Sequence, residues 1–204
     1  MTERGQNTAS SAAQPTPQTM QIVGICGSLR KDSYNRKLLE AAGELAPADA
    51  DLTLWHRLKE IPPFDEDDEP APGEAVLALR AAIAQADAVL IATPKYNASL
   101  PGQVKNALDC ASRPFDSNVL RERPVAVIGA SPSRSGAARS QAEARTVPGR
   151  IGADVLDVEL AVPERSISST LAGRLRAPVY RRGLSHILSQ LATRARGSEP
   201  AAAA

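Results

Sequence analysis

Aromatic side chains are scarce in this 204-residue chain: one Trp, three Tyr and two Phe make up 3% of it. Stacking platforms for single-stranded nucleic acid are hard to build from so few rings. Cysteine is scarcer still. Cys26 and Cys110 lie far apart, form neither a CxxC pair nor a His/Cys cluster with metal-ligand spacing, and are expected to be reduced and mostly structural. An excess of one charge is also missing, with 24 basic against 23 acidic groups. That balance removes the general electrostatic argument for nucleic acid or an anionic membrane as the main partner. No apolar run nears the ~18 to 20 residues that span a bilayer. No apolar stretch precedes Gln21, so a secretory signal is not expected and the reading is cytoplasmic. A chain of this length buries roughly 70% of its unfolded surface and needs no metal or disulfide staple.

What is present is an alternation. Residues 1 to 19 hold Ser, Thr, Gln, Ala and Pro and read as a disordered arm, residues 20 to 196 as one domain, and residues 197 to 204 as a flexible tail. Within the domain, apolar β-branched runs at Gln21–Cys26, Leu52–Trp55, Ala88–Thr93, Pro124–Ala130 and Val155–Leu160 predict five strands. Helical spacing predicts helices over Asn35–Leu45, Glu74–Ala86, Gln103–Ala111, Gly136–Thr146 and Leu184–Arg194, the fourth ending near Val147 because Pro148 follows. Strands alternating with helices imply an α/β three-layer sandwich: a five-stranded parallel sheet in the flavodoxin-like order 2-1-3-4-5. In that order the loops after the first and third strands flank the point where the winding reverses, and ligands bind there.

Those loops have suitable chemistry. GSLRKDSYNR, Gly27 to Arg36, offers Ser28, Ser33 and Asn35 as neutral hydrogen-bonding groups and Arg30 as a charged fork, ahead of a helix start that favours anions. The plainer reading has Ser33 or Asn35 capping the helix and Arg30 solvated. The loop has neither the GxxxxGK[ST] nor the GxGxxG pattern, which disfavours ATP chemistry; a monophosphate such as that of flavin mononucleotide is the better match. TPKYNASLPG, Thr93 to Gly102, is stiffened by Pro94 and Pro101. There Tyr96 either flanks a planar ring or plugs the core edge, and Asn97 either pairs with ring atoms or makes a local turn. GASPSRSG, Gly129 to Gly136, follows the fourth strand and places Ser131 at its end.

The stretches GSLRKDSYNRKLL at Gly27–Leu39, ADAVLIATPKYNASLPGQVKNALDCASRP at Ala86–Pro114 and RPVAVIGASPSRSGAARSQ at Arg123–Gln141 together resemble the NADPH-dependent FMN reductase family. The likeness covers about residues 21 to 163. It implies a flavodoxin-like enzyme, an NAD(P)H-dependent FMN reductase of the quinone reductase type. Ser28, Arg30, Ser33 and Asn35 would hold the FMN phosphate, with Tyr34 among the cofactor-binding residues. Pro94, Lys95, Tyr96 and Asn97 would line the ring, and Ser131 would approach its far edge. The implied partners are NAD(P)H, a small-molecule electron acceptor, and further copies of the chain in a homodimer or homotetramer; no nucleic acid and no membrane are implied.

The family pattern breaks at Lys95, where Glu is usual, at Ala98, where Gly or another residue is usual, at Ser133, where Gly is usual, and at Cys110, where Trp is usual. Beyond Pro163 the likeness fades, and Leu171–Ser198 carries six Arg and no acidic residue. That segment reads as a solvated helix face, or as a contact with an acidic patch such as Asp65–Glu69 of a partner copy. His56 and His186 fall outside the three loops and are read as structural, and no side chain is assigned a catalytic role because the flavin performs the chemistry. The expected reaction is hydride transfer from nicotinamide to flavin N5 and on to a quinone, free flavin or similar acceptor. A non-enzymatic flavodoxin-like electron carrier or redox sensor is the alternative, which the balanced charge disfavours.

Overall fold

The computed structural model describes residues 19–97, 99–131, 136–167 and 175–197. The expected arm and tail lie, apart from Thr19 and Gly197, outside these residues. Six strands form the sheet: β1 (Met20–Cys26), β2 (Ala50–Trp55), β3 (Ala88–Ala92), β4 (Pro124–Ser131), β5 (Asp154–Val155) and β6 (Ala161–Pro163). Five of them run in the order β2-β1-β3-β4-β5, β6 pairs with β4 as well, and every pairing is parallel. The helices are α1 (Tyr34–Glu44), α2 (Glu74–Gln85), α3 (Gly102–Ala111), α4 (Gly136–Ile151) and α5 (Pro178–Gly197). This is the doubly wound, flavodoxin-like arrangement. No helix among the described residues is long and apolar enough to cross a membrane.

Strand alternation sorts the core into two layers. Ile22, Leu90 and Ile128 face α1 and α5, meeting Leu38, Leu39, Leu184 and Leu188. Val23, Val89 and Val127 face the other way, toward Leu79 and Ile83 of α2, Val104 and Leu108 of α3 and Ala144 of α4. Every residue of β3 and β4 is buried, which explains why these strands read as unbroken apolar runs.

Three expectations need correction. The single fifth strand over Val155–Leu160 is instead two short pieces. Between the pairs Val125–Val155 and Gly129–Ala161, β4 advances four residues and its neighbour six, so two residues are left over and the neighbour bows away. The N–H of Val158 closes the bow on the carbonyl of Leu156 at 3.0 Å. The buried side chain of Gln141 fills the gap: its amide donates to the Leu160 carbonyl at 2.9 Å and its oxygen accepts the Leu160 N–H at 3.0 Å.

Helix α4 runs through Pro148 to Ile151 rather than ending at Val147. Pro148 is itself buried, Val147 and Ile151 pack on the apolar layer, and the N–H groups of Gly152 and Ala153 take the carbonyls of Gly149 and Pro148. Packing of the last turn outweighs the one helical bond that proline cannot make. Helix α5 starts six residues earlier than its apolar periodicity begins, with Pro178 as first helical residue, a position where the missing N–H costs nothing. Its basic end stays within the chain: Arg194 reaches Asp154 at 2.6 Å and Arg196 reaches Asp49 at 2.5 Å, while Glu66 of the acidic loop pairs with Arg113.

Replacing Gln141 by Leu should leave the Leu160 N–H buried and unpaired, at about 1–3 kcal/mol, while the Leu160 carbonyl keeps the Gly129 N–H at 3.1 Å. Urea unfolding of Gln141→Leu is therefore expected to show a loss of at least ~1 kcal/mol; a loss under ~0.5 kcal/mol refutes the bridging role.

Candidate functional site

The register of the three central strands brings their loops out side by side. Gly27 donates to the Ala92 carbonyl at 2.8 Å and Thr93 to the Ile128 carbonyl at 3.0 Å, so Gly27, Thr93 and Gly129 leave the sheet at one level. Space there is tight. A Cβ on Gly27 would lie 2.7 Å from Cγ2 of Val104 and 2.8 Å from Oγ1 of Thr93, and one on Gly129 would lie 2.6 Å from the Thr93 carbonyl oxygen. Thr93, buried between two obligate glycines, is the wedge around which the crevice floor is built. Nothing in the sequence pattern distinguishes it from an ordinary strand end.

The first loop folds back over the end of β1. Cys26 Sγ donates to the Ser28 carbonyl at 3.5 Å and lies 3.7 Å from Ser33 Oγ, which brings the two buried serines together. Ser33 caps α1, its hydroxyl accepting the Arg36 N–H at 3.3 Å and its carbonyl the Lys37 N–H at 3.1 Å. The N–H groups of Tyr34 and Asn35 belong to the turn that has no intrahelical partner, and no carboxylate occupies that turn. Arg30 is exposed on the rim, and Tyr34 is half-buried with the Lys37 ammonium 5.3 Å from its ring centre. Asn35 turns inward: its oxygen accepts the Ala130 N–H at 2.8 Å and its amide donates to the Ala130 carbonyl at 3.3 Å.

The second loop is a tight hairpin. Tyr96 and Ser99 exchange backbone bonds of 3.1 and 2.9 Å, and Asn97 sits at the tip with φ of 51°, a left-handed conformation that asparagine tolerates. The hairpin is latched to α4 by Ser99 Oγ donating to Glu143 at 2.8 Å. Tyr96 is 47% exposed, so it stands out of the crevice wall and does not plug the core; Pro94 and Lys95 are half-buried and Asn97 is exposed. Of the third loop, Ser131 ends β4 and is buried. Residues 132–135, including Ser133, and Ala98 lie outside the described residues.

Cys110 is buried on α3, facing Phe64, Val76 and the Arg80 side chain, whose Nε donates to the Cys110 carbonyl at 3.0 Å. Burial pushes its thiol pKa up, opposed by the Arg80 charge, so the group is an inert wall rather than a nucleophile. The acidic loop beside it is held by α3, where Asn106 accepts the Phe64 N–H and donates to the Pro62 carbonyl, both at 2.7 Å, and Gln103 donates to the carbonyls of Leu58 and Ile61. Sequence reasoning assigned these two amides no role.

Two buried hydroxyls, free amides at a helix start and a flexible arginine on the rim make a donor set suited to a phosphate. The hairpin with its exposed ring stands one strand away, and Ser131 a further strand along. The crevice therefore fits a ligand with an anionic end and a planar end, which is the form of FMN.

Comparison with known proteins agrees. The chain is 42% identical over 120 residues to a quinone reductase of Pseudomonas putida, a match covering 58% of this chain and 64% of that one. It is 40% identical over 128 residues to a 2-hydroxy-1,4-benzoquinone reductase of a Burkholderia species, covering 63% and 69%. The structure superimposes on FerB, a flavoenzyme NAD(P)H:(acceptor) oxidoreductase from Paracoccus denitrificans, with a TM-score of 0.78 and 31% identity, covering 87% of this chain and 98% of that one. The match thus spans a little under two thirds of the Pseudomonas relative. With residues 20–166 matching its family model, the chain belongs to the NADPH-dependent FMN reductase family.

Proposed function

We propose that the protein is an NAD(P)H-dependent, FMN-containing oxidoreductase that delivers electrons to a quinone, free flavin or similar small acceptor. The observation that carries this reading is the convergence of a neutral, hydroxyl-rich helix start and a rigid, ring-bearing hairpin on one crevice. The naming of relatives as quinone reductases and as an NAD(P)H:(acceptor) oxidoreductase supports the acceptor class. When bound, FMN supplies the two-electron chemistry, accepting hydride at N5 from nicotinamide C4 and passing the electrons on.

The chain's own task is to bind and orient. Ser28, Ser33 and the N–H groups of Tyr34 and Asn35 grip the phosphate, and Arg30 closes over it from the rim with a charge-assisted bond. Pro94, Tyr96 and Asn97 border the ring, and the backbone exchange between Tyr96 and Ser99 keeps that border from collapsing when the crevice is empty. Ser131 stands at the opposite edge. Lys95 is half-buried between Pro94 and Tyr96: turned inward, its cation would stabilise negative charge developing on the ring, and turned to solvent it would offer the ring only its backbone.

Under anaerobic conditions, FMN-loaded protein should bleach on mixing with NADPH or NADH and recover its colour when a benzoquinone is added. Protein that binds FMN but resists bleaching by both coenzymes is an electron carrier, and the reductase reading fails. Arg30→Ala should weaken FMN binding roughly 10- to 100-fold and Ser28→Ala about 2- to 10-fold, as charged and neutral hydrogen bonds differ in worth; unchanged affinities in a fluorescence titration place the phosphate elsewhere. Lys95→Glu should lower the flavin midpoint potential, and a redox titration showing no shift means that the side chain points away from the ring.

A further inference from the structure

We propose that Asn35 is a positioning residue that ties the two ends of the ligand crevice together by standing in for strand residues that β3 does not supply. The inference rests on the functional reading above but gives Asn35 a task other than holding phosphate. Along β4 the backbone groups alternate sides. Ile128 accepts from Thr93 on the β3 side and Gly129 donates to Leu160 on the β6 side, so the N–H and C=O of Ala130 face β3 again. Had β3 continued in register, the Thr93 carbonyl and the Lys95 N–H would take them. Pro94 follows instead, and the chain leaves the sheet.

Ala130 is buried, so its two groups need partners. The Asn35 side chain, itself a primary amide and 3% exposed, supplies both an acceptor at 2.8 Å and a donor at 3.3 Å. Two consequences follow from this one substitution of side chain for strand. The N-terminus of α1, which bears Ser33, is fixed to the end of β4, which bears Ser131. The backbone from Pro94 to Tyr96 is released from ladder duty and left to border a ligand. Phosphate end and ring end are thereby held in one register, although 95 residues separate Asn35 from Ala130 in the chain.

The test separates positioning from direct phosphate contact by comparing FMN with riboflavin, which has the ring and no phosphate. Asn35→Ala should weaken both ligands, each by about tenfold or more, whereas Ser28→Ala should weaken FMN alone. If Asn35→Ala weakens FMN and spares riboflavin, Asn35 touches phosphate and the positioning role is overturned; it is equally overturned if neither affinity changes. Should Asn35→Ala not fold, Asn35→Asp keeps the acceptor for the Ala130 N–H and loses the donor, and its riboflavin affinity, free of any phosphate repulsion, is expected to fall. Riboflavin bound as tightly as by wild type would refute the proposal. Wild-type protein that binds neither flavin defeats the functional reading only. The tie is then judged by hydrogen exchange at the Ala130 amide, slow in wild type and faster in Asn35→Ala; equal rates overturn it.

Discussion

A buried strand that outruns its neighbours must find other partners for its backbone, and this requirement shapes the ligand edge of the protein. Strand β4 extends past the end of β3 on one side and beside a bowed neighbour on the other. Asn35 completes the first side directly and Gln141 completes the second by holding the bowed chain at Leu160. An unpaired amide or carbonyl there costs about 1–3 kcal/mol, so each side chain matters as much as a well-packed leucine. The device recurs where irregular chain meets helix: Gln103 and Asn106 hold the acidic loop, and Asn118 bonds the Ile151 carbonyl and the Leu120 N–H.

This economy suits a site whose chemistry resides in a cofactor. Among the described residues the pKa shifts fall on Arg57, Arg80 and Cys110, away from the three loops. On the proposed function, what the chain provides is geometry: a fixed distance between the start of α1 and the Tyr96–Ser99 hairpin. Rigid floors serve that end. Gly27 and Gly129 let three strands close around Thr93, and the Ser99–Glu143 bond anchors the hairpin from outside.

The architecture was legible where burial on both faces demanded it. The runs at β1, β3 and β4 and the helical periodicities of α1, α2 and α3 each stand within two residues of where the sequence puts them. The fifth strand was not legible, because Val155–Leu160 carries a strand's composition while its pairing depends on how many residues β4 spends over the same distance. The extension of α4 through Pro148 and of α5 back to Pro178 follow from packing that local propensity does not register.

For the site, the residue types in the first two loops suited an anion and a planar ring but equally a helix cap, a solvated arginine and a local turn, and Ser33 does cap α1. Sequence by itself determined which strands are central, which loops meet, and what chemical groups those loops carry. Tertiary structure alone decided which way each group points: Asn35 inward to Ala130, Tyr96 outward, Thr93 into a wedge between two glycines. The physical reason is that composition and periodicity are local, whereas the partner of a buried polar group is set by whichever backbone the fold leaves unpaired nearby.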